Sequence, residues 1–264
     1  MITLNDNIID LTIWQLSLAY VFIIMLLIIV KLRKIPRNKE IFISTLRMTI
    51  QLLLVGYILM YLFENPHPLW TTLVVLLMVT FAIWNIYKRV RSDLDKKMKQ
   101  IIAVSMAAGT LSSLIYFNLI VIQFSPWYEP RYFIPIAGMI IGNSMTGVTL
   151  GVQTLTEGMK DQRQRVEAAL MLGASPQEAS RKIVNQAFDN AILPTINSMV
   201  GTGIVFLPGM MTGQILAGVN PVTAIEYQIA ILLGVTGAVS LTVILFVQNG
   251  YKVFFNEKSQ LEEK

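Results

Sequence analysis

The 264-residue chain is 54% hydrophobic and only 14% charged, with a mean hydropathy of +0.60, a balance that excludes an ordinary water-soluble domain. Its net charge of +5 rests on Lys and Arg placed between apolar blocks with no aromatic platform beside them, so orientation in a bilayer accounts for it and nucleic acid does not. Cysteine is absent, which rules out disulfides, thiolate metal sites and thiol chemistry.

The first apolar block, Leu11 to Val30, follows Asp6 and Asp10 and precedes Lys31, Arg33 and Lys34, the reverse of a signal peptide's flanks, and reads as a spanning helix. Windows of about nineteen residues predict seven spans in one membrane domain, at 11–30, 41–63, 69–87, 101–124, 132–155, 188–208 and 225–248. The fold class is therefore all-α, a polytopic helical bundle. Lys31, Arg33, Lys34, Arg37 and Lys39 follow the first span, and the next loop has neither Lys nor Arg. Lys88, Arg89, Arg91, Lys96, Lys97 and Lys99 follow the third, and Arg131 alone marks the loop after the fourth. Lys160, Arg163, Arg165, Arg181 and Lys182 follow the fifth, and the tail carries Lys252 and Lys258. The positive-inside rule then puts the N-terminus outside and the C-terminus inside a cell membrane crossed many times. The stretch from Phe188 to Val219, broken by Pro194, Pro208 and several glycines, predicts a broken helix or a helix followed by a re-entrant segment.

Polar and thioether groups at membrane depth are the candidate pathway. Arg47 and Gln51 share a face of the second span at i, i+4; snorkelling is the simpler account of Arg47, counter-charging a substrate or another protomer the sharper one. Asn143, Ser144, Thr146, Asn197, Ser198, Thr202 and Gln214 each need a partner in the bundle or a wet cavity, half or more of them across helices. Met139, Met145, Met199, Met210 and Met211 lie on or near the same helices; they read first as adaptable packing and second as soft ligands. Glu64 and His67 in an outer loop, and Asp189 near the cytoplasmic mouth, are the candidate metal ligands, an ordinary turn being the simpler role for the first two. The pairs Gly138/Gly142, Gly147/Gly151 and Gly209/Gly213 predict close helix packing, and the lack of an internal repeat predicts a homodimer.

Residues 157–187 form the polar cytoplasmic loop of size. Its first half, about Thr156 to Leu172, favours a helix ended by Gly173, and Ser175 with Pro176 and Glu178 starts a second. The run Glu167-Ala168-Ala169, then Gly173-Ala174-Ser175-Pro176, resembles the EAA loop of ABC permeases, which implies a coupling helix seated in a groove of the ATPase. A lever needs stiffness, small residues where it slides, a sharp turn, and a charged head such as Glu167 to pair with a donor. The ordinary importers carry a Leu-Pro beyond the glycine where this chain has Asn185-Gln186.

Gly138-Met139-Ile140-Ile141-Gly142-Asn143-Ser144-Met145, this loop, Leu207-Pro208-Gly209-Met210-Met211-Thr212-Gly213, and Ala217-Gly218-Val219-Asn220-Pro221 with Ala224-Ile225-Glu226-Tyr227-Gln228 occur in the order of one family. Together they resemble the FetB-type (YbbM-like) ABC permeases, which include plant aluminium-resistance membrane subunits. The resemblance implies iron or other metal export, a FetA-like ATPase partner that carries ATP and Mg, and no cofactor bound by this chain. No Gly-x-x-x-x-Gly-Lys-Ser/Thr phosphate loop is present, so hydrolysis belongs to the partner. The alternative, a secondary transporter or channel, calls for inverted repeats and a buried ionisable relay, and a membrane-embedded enzyme calls for clustered His, Asp or Glu; a single histidine and charge-poor spans favour neither.

Overall fold

Helix starts in this chain carry groups that satisfy free N–H donors. Thr12, Asp95, Ser175 and Asn220 each accept a backbone N–H, and Pro68, Pro130, Pro176 and Pro221 occupy first turns, where no N–H is needed. A computed structural model of the chain describes residues 11–90 and 94–262; Asp6, Asp10 and Arg91 lie outside them. In chain order come α1 (Ile13–Leu32), α2 (Asn38–Glu64), α3 (Pro68–Arg89) and α4 (Lys96–Tyr116), which runs into a π-helical stretch Phe117–Ile122. Then follow α5 (Pro130–Asp161), α6 (Arg163–Met171), α7 (Pro176–Gly201), α8 (Gly209–Leu216) and α9 (Pro221–Gly250), closed by a 3-10 turn Tyr251–Phe254.

α5 is the centre of the bundle, packed along α3, α7 and α9, with α4 closing against α9. Contacts at the glycines set the helix directions. Gly147 abuts Val239 and Val243, and Gly151 abuts Phe246, so α5 and α9 run parallel. Gly151 meets Ala191 while Gly158 meets Ile183, so α7 runs antiparallel to α5. Gly109 against Thr242 and Gly234 against Phe117 make α4 antiparallel to α9. α3 runs with α5, since Met78 lies by Gly138 and the Gln153 amide reaches the Arg89 carbonyl at 3.4 Å. The α1–α2 hairpin stands to one side, almost wholly exposed, tied by the Arg47 guanidinium over the rings of Phe81 (4.9 Å) and Trp84 (5.5 Å). With these directions the four Lys/Arg clusters collect at one end of the bundle.

Among the described residues six helices, not seven, are long and apolar enough to cross a membrane: α1, α2, α3, α4 with its π-helical extension, α5, and α9 with its 3-10 turn. The expected span at 188–208 is not one helix. α7 begins at Pro176 with a polar half and stops at Gly201; residues 202–207 turn, with Gly203 at φ +88, and Pro208 opens the short α8. The helix-then-short-segment reading of this stretch matches that geometry. The expected first helix of the loop is also divided: α5 runs on to Asp161, and α6 starts at Arg163.

The glycine pairs divide too. Only Gly147 sits in a tight helix contact, with Gly151 in an ordinary one; a Cβ on Gly142, Gly209 or Gly213 would meet nothing within 4 Å, and on Gly138 only the end of Met78. The closest approach of all is at Gly109, where a Cβ would lie 2.7 Å from the Thr242 Cα and 2.3 Å from its hydroxyl. Backbone cannot yield as a side chain can. Gly109→Ala therefore destabilises the α4–α9 pair by about 1–3 kcal/mol, whereas Gly142→Ala, into open space, changes stability by no more than about 0.5 kcal/mol. Thermal unfolding of both variants in one detergent checks this.

Candidate functional site

The α6–α7 turn is built to be stiff. Leu172 caps α6, Gly173 takes a left-handed φ of +92, and two bonds close the end: Gly173 N–H to Leu170 O and Ala174 N–H to Ala169 O, both 3.0 Å. Ser175 then opens α7 with a reciprocal box, its hydroxyl accepting the Glu178 N–H at 3.3 Å while the Glu178 carboxylate accepts the Ser175 N–H at 2.9 Å. Val166 and Ile183, both buried, anchor the two helices to the body. At the apex Met171 and Leu172 are 86% and 90% exposed. Ala168 is exposed and Ala169 and Ala174 half-buried. The Glu167 carboxylate accepts the Arg163 Nε–H at 2.8 Å within α6. A polar recess of about 540 Å³ lies alongside, lined by Ser175, Glu178, Arg181, Gln248 and Tyr251 among others.

The second group of residues lies where α5 and α7 run side by side. The Asn190 amide donates to the Thr154 hydroxyl at 3.2 Å, and the antiparallel register that joins Gly151 to Ala191 carries Asn143 of α5 to the depth of Asn197 of α7. Asn143, Thr146 and Asn197 are exposed there. Three of the seven polar groups set at membrane depth bond within their own helix: Asn143 to Met139 O at 2.7 Å, Thr146 to Gly142 O at 3.1 Å, Thr202 to Ser198 O at 2.7 Å. The Ser144 hydroxyl and the Gln214 carbonyl are buried with no partner among the described residues.

The methionines scatter. Met139, Met145 and Met210 pack half-buried against the core, Met211 is buried, and Met199 on α7 accepts the Thr236 hydroxyl at 3.1 Å. Arg47 stacks on Phe81 of α3, and Gln51 stands exposed one turn on. Glu64 and His67 are exposed at the end opposite the basic loops, where the His67 Nδ1 accepts the Leu69 N–H at 3.2 Å and caps α3. Asp189 is exposed on α7. Among the described residues no three His, Cys, Asp or Glu gather in a cluster able to hold a metal ion. Sequence reasoning passed over Met171, Leu172 and Asn190. An apolar pair immediately before the loop's helix-ending glycine was the available signal for the first two.

The model of one family, described as "Uncharacterised protein family (UPF0014)", matches residues 13–255. The chain is 34% identical over 247 residues to the "Probable iron export permease protein FetB" of Escherichia coli K12, covering 94% of this chain and 93% of that one. It is 32% identical to the "UPF0014 membrane protein YjkA" of Bacillus subtilis 168, over 94% of this chain and 98% of that protein. It is likewise 32% identical to the "Protein ALUMINUM SENSITIVE 3" of Arabidopsis thaliana, over 92% and 88% of the two. No solved structure matches. A match along nearly the whole length, on a bundle of six apolar helices, makes the chain a multi-pass membrane permease of the UPF0014 family.

Proposed function

We propose that the chain is the membrane-spanning subunit of an ABC transporter that exports iron or another metal, working as a homodimer in the cell membrane with a separate, FetA-like ATPase. The observation that carries the coupling is the apex of the α6–α7 turn. Two large apolar side chains, Met171 and Leu172, stand almost bare at the end where the Lys/Arg clusters collect, so they face water and not lipid. A capped, buttressed turn holds them as a rigid knob, which suits insertion into a groove of a partner. The basic end is then cytoplasmic, the N-terminus outside and the C-terminus inside.

The exposed polar strip on α5 and α7 supports the dimer. Asn143, Thr146 and Asn197 would be stranded in hydrocarbon on a lone chain; a second copy placed against this face lets them line a shared, wetted path. Metal as substrate rests on the FetB relative's name. Among the described residues no charged side chain is buried in the core, which leaves a proton-relay mechanism without its usual parts.

In the complex of this chain with its ATPase, Leu172→Asp, Gly173→Pro and Glu167→Lys should leave insertion and dimerisation intact and reduce permease-dependent ATP hydrolysis at least tenfold. Gly173→Pro acts through backbone, since proline cannot adopt φ +92. Undiminished hydrolysis in all three removes the coupling role. Uptake of radiolabelled iron into inverted vesicles, with and without ATP, tests the substrate; iron movement independent of ATP would refute this mechanism.

The start of α7 is sensitive to pH in a defined direction. The Ser175 backbone N–H, then its hydroxyl, holds the Glu178 carboxyl below the usual carboxylate range, with Arg181 adding to the effect. A depressed folded value means the cap contributes fully above the ordinary Glu range and is lost as pH falls through the lowered value. Ser175→Ala removes the hydroxyl that accepts the Glu178 N–H and bonds its carboxylate, and leaves only the backbone N–H of residue 175 to the carboxylate. Amide exchange at the start of α7, corrected for intrinsic rates, is expected to rise on the order of fivefold at neutral pH.

A further inference from the structure

Beside the contact between α4 and α9 runs an open groove of about 770 Å³, on a face separate from the polar strip of α5 and α7. Ser113, Tyr116, Leu233, Gly237 and Leu241 belong to its walls, and Glu226 stands at the end opposite the basic loops. From Glu226 to Leu241 the groove follows α9 for roughly 22 Å, and Glu226 itself sits only ~7 Å below the helix start, at the depth of a bilayer interface. The walls are effectively hydrocarbon. The Ser112 and Ser113 hydroxyls are spent on the Ala108 and Gly109 carbonyls of their own helix at 2.6 and 2.7 Å. The π-helical stretch brings Phe117 onto Gly234, where a Cβ would lie 2.6 Å from the ring, while at Gly237 a Cβ would meet nothing within 4 Å. One glycine is thus filled by a neighbour and the other leaves the groove open.

Glu226 is the only charged residue lining the groove; it is exposed and has no hydrogen bond or ion pair among the described residues. We propose that this groove binds one acyl chain of an aminophospholipid, whose primary ammonium pairs with the Glu226 carboxylate. The groove lies along the bilayer normal and is apolar over its length, as a lipid tail requires. The carboxylate at its interfacial end repels an anionic headgroup and neutralises a cationic amine. A second copy of the chain is a poorer occupant, because its Lys/Arg clusters gather at the other end of the bundle and Arg131, the one Lys or Arg described at this end, lies over the Phe63 ring of its own chain, which would leave Glu226 covered but uncompensated.

The test uses the full-length chain in nanodiscs holding equal phosphatidylethanolamine and phosphatidylglycerol, released into mild detergent for native mass spectrometry. Wild type should retain one phosphatidylethanolamine per chain, at least fivefold in excess of phosphatidylglycerol. Gly237→Leu, whose Cβ enters open space on the groove wall, should lose that lipid while keeping its melting temperature. Glu226→Gln should keep a bound lipid and lose the headgroup preference. Equal retention of the two lipids by wild type, or unchanged retention in Gly237→Leu, would overturn the proposal. Because the chain has no cysteine, Leu233→Cys supplies a sole thiol; a disulfide between two copies through it would show a protein occupant and overturn it equally.

Discussion

Lipid tails are as apolar as leucine, so nothing drives two membrane helices together unless their backbones can come close enough for dispersion to accumulate. Gly109, Gly147 and Gly158 supply that closeness at three helix contacts, and the arrangement of the rest follows from them. With α5 and α9 in register at Gly147, and α7 pressed on Gly151 and Gly158, every basic loop falls at one end and the α6–α7 turn must emerge there. Where such closeness is lacking, as between α2 and α3, aromatic rings around the Arg47 guanidinium take over the tethering. A cation at membrane depth needs such company, and the stack on Phe81 and Trp84 gives it without an acidic partner.

Polar side chains obey the same scarcity. Hydroxyls and amides on the long helices mostly turn back to the carbonyl four residues earlier, a bond that asks nothing of a neighbour. This frees the helices to slide or tilt without breaking cross-links, which would suit the proposed transporter better than a locked network. The Asn190–Thr154 bond is an exception, and it lies on α5 and α7, the two helices that lead into the α6–α7 turn.

Much of this was legible beforehand, and the failures have physical causes. Six spans, the Gly173 terminus and the Ser175 box follow from hydropathy and capping chemistry, which are local and leave a direct trace in sequence. The sixth predicted span failed because a hydropathy window counts apolar residues without noticing that Gly201, Gly203 and Pro208 deny them one continuous helix. Glycine spacing misled for another reason. Gly138/Gly142 and Gly209/Gly213 have the same spacing as Gly147/Gly151, yet whether another helix lies against them is decided by tertiary arrangement. The scattered methionines show the same limit, since residue type names a capacity to bind and only the fold brings donors together.

Continuity between the two ends follows from α5. It runs from Pro130 to Asp161 without interruption despite Pro135, roughly 48 Å of helix, and breaks only at Gln162, immediately before α6. Any displacement of the Met171–Leu172 knob acts on the C-terminal end of α5 and the N-terminal end of α7 together, because α6 joins them through caps with almost no slack. Gly158 against Ile183 and Gly151 against Ala191 then keep the two from separating near that end. In the proposed coupling, relative motion would pass upward to Asn143 and Asn197, where among the described residues no polar bond clamps one helix to the other. In the proposed transporter, the pair would work as tongs, stiff at the handle and free at the tip, with the free tip at the polar strip through which substrate would pass.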